Sequence, residues 1–186
     1  MRIIGGSARG RRLLTPKHAG IRPTADRVKE SLFNILTAQR GTFAGLRVLD
    51  ICAGTGNLGI EALSRGGAAA VFIDEGRDAA DLITRNLALA GFADRGKLLR
   101  LEALTALKLL EQNGGAFDII FLDPPYGKGI AVRVLEALAA SPLATDRTVV
   151  VVETSAGEEL SPVFGRLAEF DCRRYGDTSL HFFSPL

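Results

Sequence analysis

The sequence predicts an open α/β fold. Three observations predict it. Candidate strands alternate with helical stretches from residue 47 onward. Several of those strands are near-continuous apolar runs, as expected where helices cover both faces of a parallel sheet. The first of them runs straight into a glycine-rich loop.

Composition fits one globular unit. The chain has 186 residues, 47% of them hydrophobic, and a formal charge of +2, so it buries a full core without staples. Two cysteines, Cys52 and Cys172, are too few for a disulfide scaffold or a zinc ribbon. His18 and His181 lack metal-ligand spacing, and no metal is expected. Apolar stretches such as residues 68–73 fall far short of the ~18 residues of a membrane span. Met1-Arg2-Ile3-Ile4-Gly5-Gly6 lacks the long apolar segment of a secretion signal. A soluble, cytoplasmic, monomeric protein is the expectation.

Taken in order, Ile3-Ile4 and Leu13-Leu14 flank a glycine–arginine stretch and predict two short strands joined by a basic turn. A helix is expected from Thr24, because Pro23 lies just ahead and Val28, Leu32, Phe33, Ile35 and Leu36 recur at helical spacing. Strands follow at residues 47–51, 70–73, 98–101, 119–122 and 148–152, with helices at 58–64, 78–90, 104–111 and 131–140 between them. Residues 168–175 and 179–184 predict an antiparallel hairpin at one edge, for seven strands in all. The one boundary worth placing follows residue 23: a basic hairpin over 1–23, then the α/β domain over 24–186. Phe182-Phe183 would send one ring to each face of a strand, one of them into the core.

The small net charge hides an asymmetry. Residues 1–30 hold eight basic side chains against Asp26 and Glu30, a balance of +6, while the rest of the chain stands at −4. Such a basic arm suits a polyanion gripped at one end. Arg2, Arg9, Arg11, Arg12 and Lys17 are its candidate phosphate contacts, and the interleaved glycines let backbone and guanidinium both come close. The plainer alternative is a solvated surface segment.

Two constellations carry chemistry. The first is Val48-Leu49-Asp50-Ile51-Cys52-Ala53 entering Gly54-Thr55-Gly56-Asn57-Leu58-Gly59, a G-x-G-x-x-G loop with strand before and helix after. Gly54 and Gly56 permit a tight turn and close approach of a nucleotide-like ligand, and Gly59 lets the helix pack against the strand. Asp74 and Glu75 end the second strand of this series and can accept hydrogen bonds from ribose hydroxyls. Asp50 would repel a dinucleotide pyrophosphate and suits an ammonium group; its alternative role is capping local backbone. Cys52 reads as a small buried thiol rather than a nucleophile, since no histidine accompanies it, and Cys172 reads as packing.

The second constellation is Ile119-Ile120-Phe121-Leu122 running into Asp123-Pro124-Pro125-Tyr126. Two prolines fix φ in succession and make a stiff wall with a carboxylate on one side and an aromatic ring on the other. Asp123 and the Pro124 carbonyl can accept both N–H hydrogens of a planar exocyclic amine while Tyr126 stacks on its base. Held this way, the nitrogen lone pair turns towards an electrophilic methyl, and positioning in line does most of the catalytic work.

Asp123-Pro124-Pro125-Tyr126 resembles the amino-methyltransferase signature, and Asp50 with Ala53-Gly54-Thr55-Gly56 resembles its cofactor loop. With Arg2-Ile3-Ile4-Gly5-Gly6, Arg9-Gly10-Arg11 and the run from Arg22 to Glu30, the whole chain resembles the RsmD family of bacterial methyltransferases acting on guanine N2 of small-subunit (16S) ribosomal RNA. The resemblance implies S-adenosylmethionine as donor, a Rossmann-like, mostly parallel seven-stranded methyltransferase sheet, and an N-terminal hairpin that contacts RNA, on the free rRNA or the assembled subunit. It places Asp50, Ala53, Gly54, Thr55, Gly56 and Asn57 in the cofactor loop, Asp74 with Glu75 at the ribose, Glu102-Ala103 near the adenine, and Arg22 and Thr24 close to the cofactor. Asp123, Pro124, Pro125 and Tyr126 form the amine pocket. Three departures stand out: Asp74 where the family more often has glutamate, Glu102 where it has Asp or Asn, and glycine at position 76 where an acid is common.

Other readings stay open here. A DNA adenine-N6 methyltransferase shares the acid–proline–proline–tyrosine loop, although this chain leaves no room for a separate DNA-recognition domain. A nicotinamide-dependent oxidoreductase would share the glycine loop, but Asp50 and the double proline speak against it. A non-catalytic RNA-binding assembly factor would keep the pocket without the reaction.

Overall fold

The computed structural model describes the chain except for residues 17–25, 114, 126 and 128. Lys17, His18, Arg22, Thr24, Tyr126, the first residues of the predicted 24-onward helix and the boundary at residue 23 therefore lie outside the described residues. Helix α1 (Asp26–Arg40) buries Lys29, Leu32, Phe33 and Leu36, an i, i+3, i+4, i+7 stripe in which the first member is a cation. Then β1 (Arg47–Ile51), α2 (Asn57–Ser64), β2 (Ala69–Ile73), α3 (Arg77–Ala90), β3 (Gly96–Leu99), α4 (Ala103–Asn113), β4 (Phe117–Leu122), α5 (Ile130–Ala139) and β5 (Ala144–Ser155) alternate. The chain ends in β6 (Val163–Phe164), β7 (Leu167–Tyr175) and β8 (Thr178–Pro185).

The strands form one sheet in the order β3-β2-β1-β4-β5-β8-β7-β6, parallel through β5 and antiparallel beyond it. Eight strands replace the expected seven. The extra one is the two-residue β6, too short to show a periodic signal, which pairs Val163 with Ala168 and Phe164 with Leu167 at the edge. The order reverses between β1 and β4, so a crevice opens where the chain leaves these two neighbours for opposite sides.

Period-2 alternation sorts the apolar runs into two cores. Val48, Ile119, Phe121, Val149 and Val151 face the layer that includes α1, α2 and α3. Leu49, Ile51, Ile120, Leu122, Val150 and Val152 face α4 and α5. Phe182 and Phe183 are both fully buried, one in each core, where a single buried ring was expected, because both faces of β8 are covered. Cys172, expected to pack, is exposed on β7.

The two N-terminal segments pair antiparallel over a short stretch about a bridge between Arg2 and Arg12. Backbone bonds flank it, from Ile3 N to the Arg11 carbonyl (3.0 Å), Gly10 N to the Ile3 carbonyl (2.8 Å) and Leu13 N to the Met1 carbonyl (3.1 Å), and the intervening turn is held on α2. Ile4 N donates to Glu61 Oε2 (2.9 Å), Ser7 N to the Ser64 carbonyl (2.7 Å) and Ala8 N to Ser64 Oγ (3.0 Å). Gly6 makes this approach possible: its φ is +75°, and a Cβ there would sit 1.8 Å from the Ser64 carbonyl oxygen. Ile3, Ala8 and Leu13 are buried in the same core as α1 and α2, so the basic segment is fastened to the sheet domain.

Candidate active site

A cavity of about 510 Å³ lies at the carboxyl ends of β1, β2, β4 and β5. Asp50, Ala53, Gly54, Thr55, Asn57, Asp74, Glu75, Glu102, Ala103, Asp123, Pro124 and Pro125 all line it. Groups from four strand ends thus meet at the switch point of the sheet. Gly56 does not join them. It caps α2 with φ 76°, and a Cβ on it would meet Ile60, Phe72 and Ile83, so it faces the core. Gly54, at φ +56°, has open space where a Cβ would stand and lines the cavity. Gly59 meets its expectation: a Cβ there would lie 2.4 Å from the Phe72 ring.

Each acid has a distinct environment. Asp50 is 2% exposed, and its Oδ2 accepts the Gly59 N–H at 2.8 Å, in the first turn of α2. Burial pushes its carboxyl up to about 7, with Asp74 adding to the rise and the Gly59 N–H opposing it. Asp50 therefore caps backbone and lines the cavity at once. Asp74 braces the loop, its Oδ2 accepting from Gly54 N and its Oδ1 from Gly76 N, both at 2.9 Å. Glu75 beside it is exposed. Glu102 turns its carboxylate to the start of α4, accepting from Thr105 N (3.0 Å) and Thr105 Oγ1 (3.2 Å); these bonds hold its carboxyl below the usual range.

The loop after β4 starts with a backbone bond from Asp123 N to the Ile51 carbonyl (3.3 Å), which seats Asp123 beside the end of β1. Burial raises its carboxyl well above the usual carboxylate range, and the charges of Glu153 and Asp50 add to the rise. Pro124 is buried and Pro125 exposed. Cys52, the residue after β1, has φ 59°, the one positive φ of a non-glycine among the described residues. Such a conformation costs about 1–3 kcal/mol and bends the chain from strand to loop. Burial and the surrounding carboxylates push the Cys52 thiol up to about 12, so it stays protonated.

A buried polar network, missed by sequence reasoning, supports the loop. The Lys29 ammonium, fully buried, donates to the Arg2 carbonyl (2.6 Å) and to Asn57 Oδ1 (2.7 Å) and pairs with Glu61 (3.4 Å). Burial drives the Lys29 pKa down and Glu61 partly restores it. Because an ammonium only donates, it orients the Asn57 amide with oxygen towards Lys29. That leaves Asn57 Nδ2 buried without an acceptor among the described residues. Asn86 ties the loop to the N-terminal segment, donating to the Thr55 carbonyl (2.9 Å) and accepting from Leu14 N (2.7 Å). Met1 lines the cavity.

Glu153 also lines the cavity and was not predicted. The signal was present: it ends the run Val149–Val152 as Asp50, Asp74 and Asp123 fall at or just past the ends of theirs. Among the described lining residues there are six carboxylates and no lysine or arginine. Glu169, Cys172 and His181 form a separate cluster whose ligand atoms lie within 4.8 Å of one another. Both ring nitrogens of His181 already have partners there, Glu169 Oε1 at 2.7 Å and Thr154 Oγ1 at 3.1 Å.

Arg2, Arg9, Arg11 and Arg12 are exposed. Arg2 pairs with Asp26 (2.9 Å), and Arg11 donates to the Leu89 and Ala90 carbonyls at the end of α3 (3.3 and 2.9 Å). Arg2, Arg9 and Arg27 border a second hollow of about 260 Å³ together with Asp26 and Glu30.

Comparison with known proteins adds kinship. Residues 1–184 match the family described as conserved hypothetical protein 95. The chain is 37% identical to ribosomal RNA small subunit methyltransferase D of Escherichia coli (strain K12) over 165 residues, covering 88% of this chain and 79% of that one. It is 34% identical to the putative rRNA methyltransferase YlbH of Bacillus subtilis over 180 residues, covering 97% and 96%. Among solved structures, the putative methyltransferase yhhF from Escherichia coli superposes with a TM-score of 0.86 at 32% identity, covering 100% of this chain and 97% of that one.

Proposed function

The chain belongs to the conserved hypothetical protein 95 family, the family of ribosomal RNA small subunit methyltransferase D, and on that premise we propose that it methylates ribosomal RNA with S-adenosylmethionine, at the exocyclic N2 amine of a guanine in the small-subunit (16S) rRNA. The observation that carries this reading is the acid-walled cavity at the β1/β4 switch point, which holds the glycine loop and the Asp123-Pro124 corner together. A wall of carboxylates suits a cationic donor and repels a dinucleotide pyrophosphate. The donor set fits as well: Asn57 supplies a buried N–H without an acceptor among the described residues, and Gly54 leaves open space for close approach.

In this reading Asp50, Gly54 and Asn57 hold the methionine end of the donor, Asp74 and Glu75 the ribose, and the backbone at Glu102-Ala103 the adenine. S-adenosylmethionine, when bound, supplies an electrophilic methyl on a sulfonium, a good leaving group. The protein's task is then geometry. Asp123 and the Pro124 carbonyl accept the two N–H bonds of the target amine and direct its lone pair, and Tyr126 stacks on the base. The basic segment over residues 1–23 grips rRNA beside the domain over 24–186. Its exposed Arg9 and Arg12 are the candidates for this, since internal bonds engage Arg2 and Arg11.

Calorimetry with S-adenosylmethionine and with NAD separates transferase from dehydrogenase, and only the first is expected to bind. Labelled methyl transfer to unmodified small subunits, free 16S rRNA and duplex DNA, followed by mass mapping, is expected to yield N2-methylguanine in RNA. N6-methyladenine in DNA would overturn the substrate assignment. Asp123→Ala is expected to lower kcat on the order of 100- to 1,000-fold while donor affinity stays within about threefold; an equal loss of affinity would contradict its role.

A further inference from the structure

Glu153 is a buried carboxylate that the mechanism above leaves unused. It stands near the end of β5, and β5 runs parallel to β4 with Phe121 opposite Val151 and Leu122 opposite Val152. One step further along both strands, Asp123 and Glu153 come into line on the sheet face of Phe121 and Val151, where Asp50 also points from β1. Both line the same cavity, and Glu153 is 7% exposed. In this wall the charge of Glu153 raises the Asp123 carboxyl, so the ionisation of one bears on the other.

We propose that Glu153 is the positioning partner of Asp123, the two carboxyls forming one proton-holding pair at the ends of β4 and β5 that receives the proton of the target amine. The inference rests on the amine-methylation reading above. Once the amine nitrogen has gained its fourth bond, one N–H bond breaks, its electron pair stays on nitrogen, and the proton forms an O–H bond on Asp123. Glu153 raises the affinity of Asp123 for that proton and adds negative charge beside the nitrogen as it becomes positive. The direction of the shift at Asp123, upward from burial and then from Glu153, agrees with this arrangement. Among the described lining residues, the other titratable groups are Asp50 and Cys52 from the β1 exit, Asp74 and Glu75 beyond β2, Glu102 before α4, and the amino terminus of Met1. All the acids among them act in the same direction, so Glu153 is distinguished by its place beside Asp123.

The test is Glu153→Gln, nearly isosteric and without the charge. Carboxyl NMR of the free protein is expected to show the Asp123 titration moving to lower pH, and the acid limb of kcat is expected to move the same way. kcat itself is expected to fall on the order of tenfold to 100-fold with the KM for S-adenosylmethionine unchanged. Glu153→Asp, which keeps the charge, restores the higher Asp123 midpoint. Should Glu153→Gln fail to fold, Asp123→Asn gives the reciprocal measurement, with the Glu153 titration moving to lower pH. An unmoved midpoint in the partner carboxyl overturns the pair. The NMR readout involves no donor or RNA. Methyl transfer by the wild-type chain to another base would therefore overturn the substrate reading and leave the pair standing.

Discussion

At the scale of single residues, the site concentrates carboxylates in places where water is scarce, and Asp50 shows the consequence. Burial lifts it to about 7, whereas an unfolded aspartate titrates near 4. As pH rises, the unfolded chain loses this proton first. Stability from this residue is therefore full below about pH 4, declines through the window between about 4 and 7, and is level above it. Asp50→Asn keeps an acceptor for the Gly59 N–H and removes the titration. Thermal melts of the free protein are expected to show a higher Tm for the variant at pH 7 and no gain at pH 4, the difference amounting to about 4 kcal/mol at most. Equal gains at both pH values would mean that burial of the charge is not the cause. Under the proposed function a cationic donor beside Asp50 favours the ionised form and reverses this balance.

Among elements, the packing of α2 on β2 sets how closely the glycine loop is drawn to the sheet. Gly59 lies against Phe72, a fully buried ring with no room to withdraw. Gly59→Ala is expected to cost about 1–3 kcal/mol and to lower Tm by several degrees. Because the same Cβ would stand 3.1 Å from Asp50 Oδ2, donor affinity should fall as well. Calorimetry on the folded fraction checks this, and unchanged affinity would show that Asp50 adjusts freely. The elements also explain what sequence patterns missed. Apolar periodicity in α1 marked the helix but not the function of Lys29, whose side chain lies in the buried stripe and meets groups from Arg2, Asn57 and Glu61. Two residues of β6 are too few for any period to register. The N-terminal hairpin is short, and its turn is held by Glu61 and Ser64 of α2, acceptors that local sequence does not reveal.

Across the whole molecule, a basic arm and an acidic cavity stand side by side. Its described part, residues 1–16, is anchored: Ile3, Ala8 and Leu13 sit in the core, and Met1 borders the cavity. Of its described arginines, Arg2 and Arg11 are tied internally, which leaves Arg9 and Arg12 as the phosphate-binding pair of the proposed function. Replacing both with alanine is expected to flatten the salt dependence of rRNA binding, by about 0.7–0.9 in slope for each phosphate no longer neutralised, without changing donor affinity. Filter binding over a salt series measures it, and an unchanged slope would place the RNA elsewhere.

The sequence by itself determined the alternation of strands and helices, the glycine loop, and the strand-end acids Asp50, Asp74 and Asp123, because hydrophobic period and turn chemistry are local properties written in neighbouring residues. Only the tertiary structure decided that Gly56 faces the core, that Asp74 gives one oxygen to Gly54, and that Glu153 shares the cavity wall with Asp123. Those facts depend on strand order and register, which bring together groups far apart in the chain, and no local pattern encodes a hydrogen-bond partner 20 or more residues away.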